Sequence, residues 1–147
     1  MTPNMDMASL DAIETLHAVT LEMDGGLPGY RDKNALESAI ARGQNRAYYN
    51  PNVDIFELIA AVGYGLIQNH PYNDGNKRTG CLFTLTSLNR NGYELPLNDT
   101  VLHSFFQSVA AGRVSEEKMA SFLRTHARPK TQTLSLAQIN QHQGGRK

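Results

Sequence analysis

The sequence has few of the features on which several kinds of protein depend. Cys81 is its one cysteine, so no disulfide can form within the chain and no cysteine-based zinc site can be assembled. We expect this thiol to be a buried or half-buried structural group. No apolar run approaches the roughly 20 residues that cross a bilayer, and the N-terminus lacks a basic segment followed by an apolar one. We therefore expect a cytoplasmic protein that makes no contact with membranes.

The sequence also lacks an excess of charge of either sign. Its 14 Lys and Arg residues balance its 14 Asp and Glu residues, which removes the field that drives non-specific binding to nucleic acid. We expect no direct nucleic-acid partner, and any anion site must be local. A chain of 147 residues fits one domain, which we place at residues 1–129. Residues 130–147 are rich in Gln, Thr and Gly and are predicted to be a poorly packed tail with a short helical piece at Leu134–Ile139.

Apolar residues recur at helical spacing in six segments, most of which begin with a capping residue. The predicted helices run from Ser9 to Met23, Asp32 to about Gly43, Asp54 to about Asn69, 79 to 90, Asn98 to Gly112, and Ser115 to before Pro129. Threonines in the fourth segment leave a strand as the competing interpretation. Residues 43–53 are predicted to be a connection, and residues 93–97 a short extended segment. The fold class is all-α, a compact bundle of six or seven helices.

The stretch GGLPGYRD precedes the second helix. Its three glycines and Pro28 exclude a helix interior, so it must be a turn or a short hairpin.

The stretch NHPYNDGNKRT, residues 69–79, separates two apolar helices. Pro71 ends the first helix, and Asn73-Asp74-Gly75 has the composition of a turn. The second helix therefore presents its unpaired N–H groups to the loop, where glycine allows an anion to approach the backbone. Lys77 and Arg78 oppose the dipole at this helix start, but an anion bound between them would reverse the sign of that effect. The stretch therefore predicts a site for a nucleotide phosphate.

Two further side chains of this stretch suit phosphate chemistry. Asp74 supplies one hard oxygen ligand, which suits Mg²⁺ carried by a nucleotide. His70 is placed to take a proton from an incoming hydroxyl. Taken singly, the histidine fits a helix cap, the Asp-Gly-Asn a turn and the Lys-Arg a solvated pair; their occurrence together favours a site. The remaining histidines show no metal-ligand spacing and are expected to be surface or helix residues: His17, His103, His126 and His142.

The stretch HPYNDGNKRTG resembles the signature of the Fic/Doc family, His-Pro-Phe-x-Asp/Glu-Gly-Asn-Gly-Arg-x-x-Arg. Tyr72 stands where Phe is usual, Lys77 where the second Gly is usual, and Cys81 where the second Arg is usual. The Gly-to-Lys exchange is typical of the death-on-curing (Doc) toxin branch. Similarity to Doc sequences extends over roughly residues 8 to 126, including GGLPGYRD and LNRNGYEL.

The resemblance implies a function. Fic proteins generally transfer AMP from ATP to a protein hydroxyl, whereas Doc toxins bind ATP in the reversed sense and transfer its γ-phosphate to a threonine of elongation factor Tu. It implies His70 as the base, Asp74 on Mg²⁺, and the phosphates of ATP surrounded by Gly75, Asn76, Lys77 and Arg78. It also implies a cognate antitoxin whose disordered segment folds on the toxin. An AMP transferase and a catalytically idle binding module remain as alternatives.

The family also has a flap that aligns an extended stretch of the target protein by main-chain pairing. Our candidate is Gly26–Arg31, here called the flap, although a simple tight turn fits the sequence equally well. Its predicted target-binding residues are Leu27, Pro28, Gly29 and Tyr30. Arg42 and Gln44 match a family position that lines the cleft, and the alternative for both is the capped end of a helix.

Overall fold

The computed structural model describes residues 3–130, which form six helices and two very short strands. The helices are α1 Leu10–Asp24, α2 Lys33–Tyr49, α3 Ile55–Gln68, α4 Asn76–Arg90, α5 Asp99–Ala110 and α6 Glu116–His126. The all-α fold class is confirmed. The predicted tail apart from its first residue, Lys130, lies outside the described residues, and so do the helical piece at Leu134–Ile139 and His142.

Helix α3 is the centre of the bundle. Ten of its 14 residues are buried, so it is apolar around most of its circumference, as predicted. It packs against α2 and α4 and also contacts α5 and α6. The loop that follows α3 is therefore anchored in the core at its first residue.

Side-chain caps fix the start of five helices. In each of them an Asx or Ser oxygen accepts an N–H group of the first turn. These caps are Ser9, Asp32, Asp54, Asn98 and Ser115, all of which the sequence predicts. Short-range capping chemistry therefore determines most of the helix starts.

The prediction that α2 ends near Gly43 is wrong, because the helix continues to Tyr49. Gly43 lies inside α2 at its contact with α3, where a Cβ atom would stand 2.7 Å from a methyl carbon of Val62. The glycine thus permits close helix packing rather than ending the helix. The connection between α2 and α3 is correspondingly shorter than the predicted 43–53.

The fourth predicted segment is a helix, so the competing strand interpretation is wrong. Its Thr84 hydroxyl donates to the carbonyl of Gly80 one turn earlier, which satisfies the hydroxyl inside the core. The extended segment after α4 is β1, Tyr93–Glu94, and it pairs antiparallel with β2, Arg128–Pro129. No helix among residues 3–130 combines the length and apolar character needed to cross a membrane.

Candidate active site

The motif loop lies between the end of α3 and the start of α4. Asn69 caps α3, so His70 stands at the C-terminal mouth of this helix, as predicted. His70 has a φ of 49°, the one positive φ among the non-glycine residues of the described chain. A proline follows it, which further disfavours helical backbone angles, and such a conformation costs about 1–3 kcal/mol. Other contacts must therefore hold His70 in place.

Arg31 supplies those contacts. Its Nε donates to the carbonyl of His70 at 2.6 Å, and its Nη2 donates to the carbonyl of Asn69 at 2.7 Å. Its backbone N–H donates to the carbonyl of Pro71 at 2.8 Å, which also accepts the N–H of Asp32 at 3.0 Å. Nothing in the sequence singles out Arg31, since an arginine after a turn is commonly a solvated surface residue.

The flap lies along the motif loop as a single strand-like segment. The backbone N–H of Asn73 donates to the carbonyl of Gly29 at 3.1 Å, and its side-chain amide donates to the carbonyl of Pro28 at 3.1 Å. Tyr30 and Tyr72 form one isolated antiparallel bridge. Of the two forms expected from the sequence, a turn or a short hairpin, the hairpin is wrong, because the flap pairs with the motif loop and not with itself.

The flap also reaches the carboxylate of Asp74. The N–H of Leu27 donates to Oδ2 of Asp74 at 2.6 Å. No described residue hydrogen-bonds to Oδ1, and Asp74 is exposed. One carboxylate oxygen thus holds the side chain to the flap, and the other is left without a protein partner among residues 3–130.

Helix α4 begins without a side-chain cap, unlike the other five helices of residues 3–130. Gly75 is its N-cap, with a φ of 83°, a left-handed conformation that favours glycine. The N–H groups of Asn76, Lys77 and Arg78 find no acceptor within the described part of the chain. The structure therefore brings free donors and the positive end of a helix dipole directly after Asp74.

The side chain of Asn76 is engaged in holding the loop. Its amide nitrogen donates to the carbonyl of Tyr72 at 2.9 Å, and its amide oxygen accepts the N–H of Tyr72 at 2.9 Å. This reciprocal pair closes the turn over residues 72–76. What Asn76 offers to an anion is therefore its backbone N–H.

Lys77 and Arg78 take partners on different helices. Nζ of Lys77 donates to Oε1 of Gln107 on α5 at 2.6 Å, whereas Nη1 of Arg78 forms an ion pair with Oδ2 of Asp24 at 3.0 Å. Asp24, at the end of α1, therefore already supplies Arg78 with a negative charge, whereas the sequence predicts that this charge comes from a bound anion. Binding of one anion between the two cations stays a prediction.

His17 is part of the same site: of the two expected positions, surface or helix, it has the helical one, but its side chain is buried. It lies on α1 and is buried, and its ring stacks on the ring of Tyr72 with centroids 3.6 Å apart. Its Nε2 lies 2.8 Å from the carbonyl oxygen of Asp74. A carbonyl only accepts, so Nε2 carries the proton. The sequence did contain an indication that His17 is buried, because it shares the helical spacing of the other buried residues of α1, Ile13, Leu16 and Thr20.

The aromatic stack continues outward from His17. The ring of Tyr30 stacks on that of Tyr72 at 5.4 Å, and the Tyr30 hydroxyl donates to the carboxylate of Glu14. The hydroxyl of Tyr72 is buried and has no partner among the described residues. Burial, with a smaller effect of the Glu14 charge, raises the pKa of Tyr72 to about 12. The departure from the usual phenylalanine thus leaves an unpaired hydroxyl beneath the motif loop.

Other predicted residues lie within helices. Arg42 and Gln44 are both in the middle of α2, so the alternative of a capped helix end is wrong. Arg42 forms an ion pair with Glu116 of α6, which also binds Arg46. Gln44 lines a small cavity with Met5 and Ala8, among others.

Three further predictions concern single side chains. His103 is exposed on α5, and His126 lies in the last turn of α6 beside the ring of Phe122. Cys81 is half-buried, as expected, and burial raises the pKa of its thiol to about 11. A neutral thiol of this kind is a packing group rather than a nucleophile.

The site suits a magnesium ion that arrives with a nucleotide. Among residues 3–130, no group of three or more His, Cys, Asp or Glu side chains is placed to hold a metal. Mg²⁺ commonly takes one or two protein carboxylates and completes its octahedron with phosphate oxygens and water. The free Oδ1 of Asp74 fits this requirement. The residues present therefore match nucleotide-bound Mg²⁺.

Comparison with known proteins identifies the family of this chain. The sequence model described as the Fic/DOC family matches residues 8–88. The chain is 33% identical over 116 residues to a protein named "Protein kinase doc" from Escherichia phage P1, covering 79% of this chain and 91% of the phage protein. It is 36% identical over 90 residues to a protein named "Toxin Doc" from Mycolicibacterium smegmatis, covering 58% of this chain and 66% of that protein. The chain therefore belongs to the Fic/Doc family, on the Doc toxin branch that its motif predicts.

Proposed function

We propose that this protein is a toxin kinase that transfers the γ-phosphate of ATP to a threonine hydroxyl of elongation factor Tu and thereby arrests translation. The names of its relatives, a kinase and a toxin, support this class of activity. The named target comes from the resemblance to Doc proteins. The proposal places the protein in the cytoplasm, with elongation factor Tu as substrate and a cognate antitoxin as partner.

The observation that carries the proposal is the uncapped start of α4. Gly75 in its left-handed conformation leaves the N–H groups of three consecutive residues free, with the Asp74 carboxylate immediately before them. Such a helix start binds phosphate through its N–H groups and its dipole. His70 lies across the same short loop. Phosphate donors, a metal ligand and a base are thus gathered within nine residues, from 70 to 78.

Each residue has a role in the proposed transfer. The oxygen of the attacking hydroxyl forms a bond to the γ-phosphorus while the bond from phosphorus to the bridging oxygen breaks, and ADP leaves. The imidazole of His70 takes the proton of the hydroxyl. Backbone N–H groups at the start of α4 and the ammonium of Lys77 bind phosphate oxygens, and their charge stabilises the transition state. Asp74 would hold Mg²⁺ brought in by the nucleotide, and this ion would supply positive charge next to the phosphates.

The departures from the general Fic motif favour phosphate transfer over AMP transfer. Lys77 replaces a glycine, which adds bulk and a positive charge at the helix start. Cys81 replaces an arginine, which removes a clamp for a second phosphate. Both changes alter which phosphates can be seated, and therefore which bond lies in line with the attacking oxygen.

The flap has an edge on which a target segment could lie. The carbonyl of Gly29 and the N–H of Arg31 are used by the motif loop. In an antiparallel bridge the N–H and C=O of the residue between them, Tyr30, point the opposite way. These groups and the exposed side chain of Leu27 support the proposed role of the flap in binding an extended target.

The decisive experiment is intact-protein mass spectrometry of elongation factor Tu after incubation with this protein and Mg-ATP. We expect the mass of one added phosphate. An added AMP would instead identify an AMP transferase, and label arriving from ATP labelled at the α-phosphate would confirm that alternative. No change in mass would favour an idle binding module.

A second test uses growth arrest in cells. We expect His70→Ala to abolish toxicity, because both enzymatic alternatives need the imidazole. An equally toxic variant, produced at the same level, would support a binding module that acts without chemistry.

A further inference from the structure

Arg31 binds the end of α3 in an unusual way: it donates to three consecutive carbonyl oxygens. The carbonyls of Asn69 and His70 accept its guanidinium nitrogens, and the carbonyl of Pro71 accepts its backbone N–H. We propose that Arg31 is a positioning residue for His70, fixing the direction of the imidazole for proton transfer. This inference rests on the proposed role of His70 as the base.

The argument begins with the two peptide planes that flank His70. The carbonyl of Asn69 belongs to the plane before His70, and the carbonyl of His70 belongs to the plane after it. The orientations of these planes define φ and ψ of His70, and with them the direction of its side chain. Because the guanidinium is a rigid planar fork, binding both carbonyls sets both angles together.

The conformation of His70 makes such a clamp necessary. A φ of 49° in a non-glycine residue before proline is sparsely populated in a free chain. Without the fork, the backbone at His70 should relax toward extended angles, because these are the angles preferred before proline. The direction of the imidazole would then change with the backbone angles.

A purely structural role must be distinguished from positioning, since cations commonly bind the last carbonyls of a helix. The chain offers a matched control. Arg128 donates through Nη1 to the carbonyls of Thr125 and Ala127 at the end of α6, each at 2.8 Å. Both arginines are exposed, so neither substitution leaves a buried cavity. Arg128→Gln therefore removes the same kind of contact away from the motif loop.

The test compares Arg31→Gln, Arg31→Lys and Arg128→Gln in the transfer of phosphate from Mg-ATP to elongation factor Tu. We expect Arg31→Gln to lower kcat by about 100-fold, because a misplacement of about 1 Å can cost this much. The KM for ATP should stay unchanged, because the phosphate donors on α4 are untouched. Arg31→Lys should also lose kcat, since one ammonium cannot bind both carbonyls in a fixed geometry. Arg128→Gln should transfer phosphate at the wild-type rate.

Chemical rescue measures kcat in the presence of added guanidinium ion, a quantity that should not change if Arg31 has a purely structural role. Guanidinium ion at millimolar concentration should restore part of the kcat of Arg31→Ala and leave that of His70→Ala unaffected. Unchanged kcat in Arg31→Gln would overturn the inference. A second outcome would also overturn it: thermal unfolding of Arg31→Gln and Arg31→Lys shows that the fall in kcat is fully explained by a smaller fraction of folded protein.

A measurement without catalysis separates this inference from the proposed function. The ¹³Cα and ¹³Cβ chemical shifts of His70 report its backbone angles. We expect wild-type shifts typical of a left-handed residue, and a change toward extended values in Arg31→Gln but not in Arg128→Gln. If the shifts change and the wild-type protein transfers no phosphate, the proposed function fails while Arg31 still sets the conformation of His70. If transfer occurs and the shifts stay constant, the inference about Arg31 fails alone.

Discussion

Nε2 of His17 donates a hydrogen bond to the carbonyl oxygen of Asp74 at 2.8 Å, joining two residues that are 57 positions apart in the chain. The carboxylate of Asp74 is the predicted metal ligand, and the next residue is the left-handed start of α4. Helix α1 thus fixes the backbone from which both the metal ligand and the phosphate donors extend. The stacking of His17 on Tyr72 secures the same loop from within.

We predict that two substitutions separate the bond of His17 from its stacking. His17→Gln keeps a donor in the place of Nε2 and loses the ring, while His17→Phe keeps the ring and loses the donor. His17→Phe should raise the Mg²⁺ concentration needed for half-maximal activity more than His17→Gln does, because the backbone of Asp74 is then no longer held. Each variant should lose about 1 kcal/mol of unfolding free energy in urea, the size of one hydrogen bond or one aromatic pair. Equal Mg²⁺ dependence in both variants would contradict a specific role for the donor.

We predict that Gly75→Ala lowers the free energy of unfolding by about 1–2 kcal/mol, because its φ of 83° is unfavourable for residues with a Cβ. The added Cβ would also stand 3.1 Å from Oγ1 of Thr20. Gly112→Ala is the control, since its φ is 79° and a Cβ there meets nothing within 4 Å. Urea denaturation of the two variants should show a larger loss for Gly75→Ala, and a larger loss for Gly112→Ala would contradict the contact with Thr20.

We predict that Tyr72→Phe raises stability by about 1 kcal/mol, because it removes a buried hydroxyl that has no partner in the described chain. Tyr30→Phe should have the opposite effect, since it removes the hydrogen bond to Glu14. Chemical denaturation at neutral pH distinguishes the two signs.

The raised pKa of Tyr72 adds a prediction about alkaline pH. The neutral phenol is favoured in the folded state, with a pKa of about 12 against the usual 10.0, so its contribution to stability is complete below pH 10.0. This contribution is lost as the pH rises from 10.0 through about 12. The stability of the wild type should therefore fall more steeply over this range than that of Tyr72→Phe, and parallel curves would show that Tyr72 titrates normally.

We predict that Lys77→Ala weakens the binding of Mg-ATP by about 10-fold or more, the effect of losing one hydrogen bond from a charged group, about 1.5–3 kcal/mol. Gln107→Ala is the matched control, because it removes the partner that Lys77 has in the structure and keeps the cation. Titration calorimetry should show little change for Gln107→Ala. Equal loss of affinity in both variants would show that the contact between α4 and α5, rather than the charge, matters for binding.

Most helix boundaries could be predicted from short stretches of sequence. Capping residues such as Ser115 act within one turn, and Asn91-Gly92 after α4 marks a helix end without reference to the rest of the chain. The predicted end of α2 at Gly43 is wrong because this glycine allows close contact with Val62 on another helix and does not end its own. A glycine that ends a helix and one that allows helices to approach are alike in sequence.

By itself, the sequence determined the all-α fold class, the family and the loop that carries the predicted chemistry, since these depend on local spacing and on a contiguous motif. Only the tertiary structure decided that His17 lies beneath this loop, that the flap pairs with it, and that Arg31 binds the end of α3. Contacts of this kind join residues tens of positions apart. They depend on how α1, α3 and α4 pack together, and hydrophobic packing is non-directional, so no local pattern encodes which polar side chains it brings into contact.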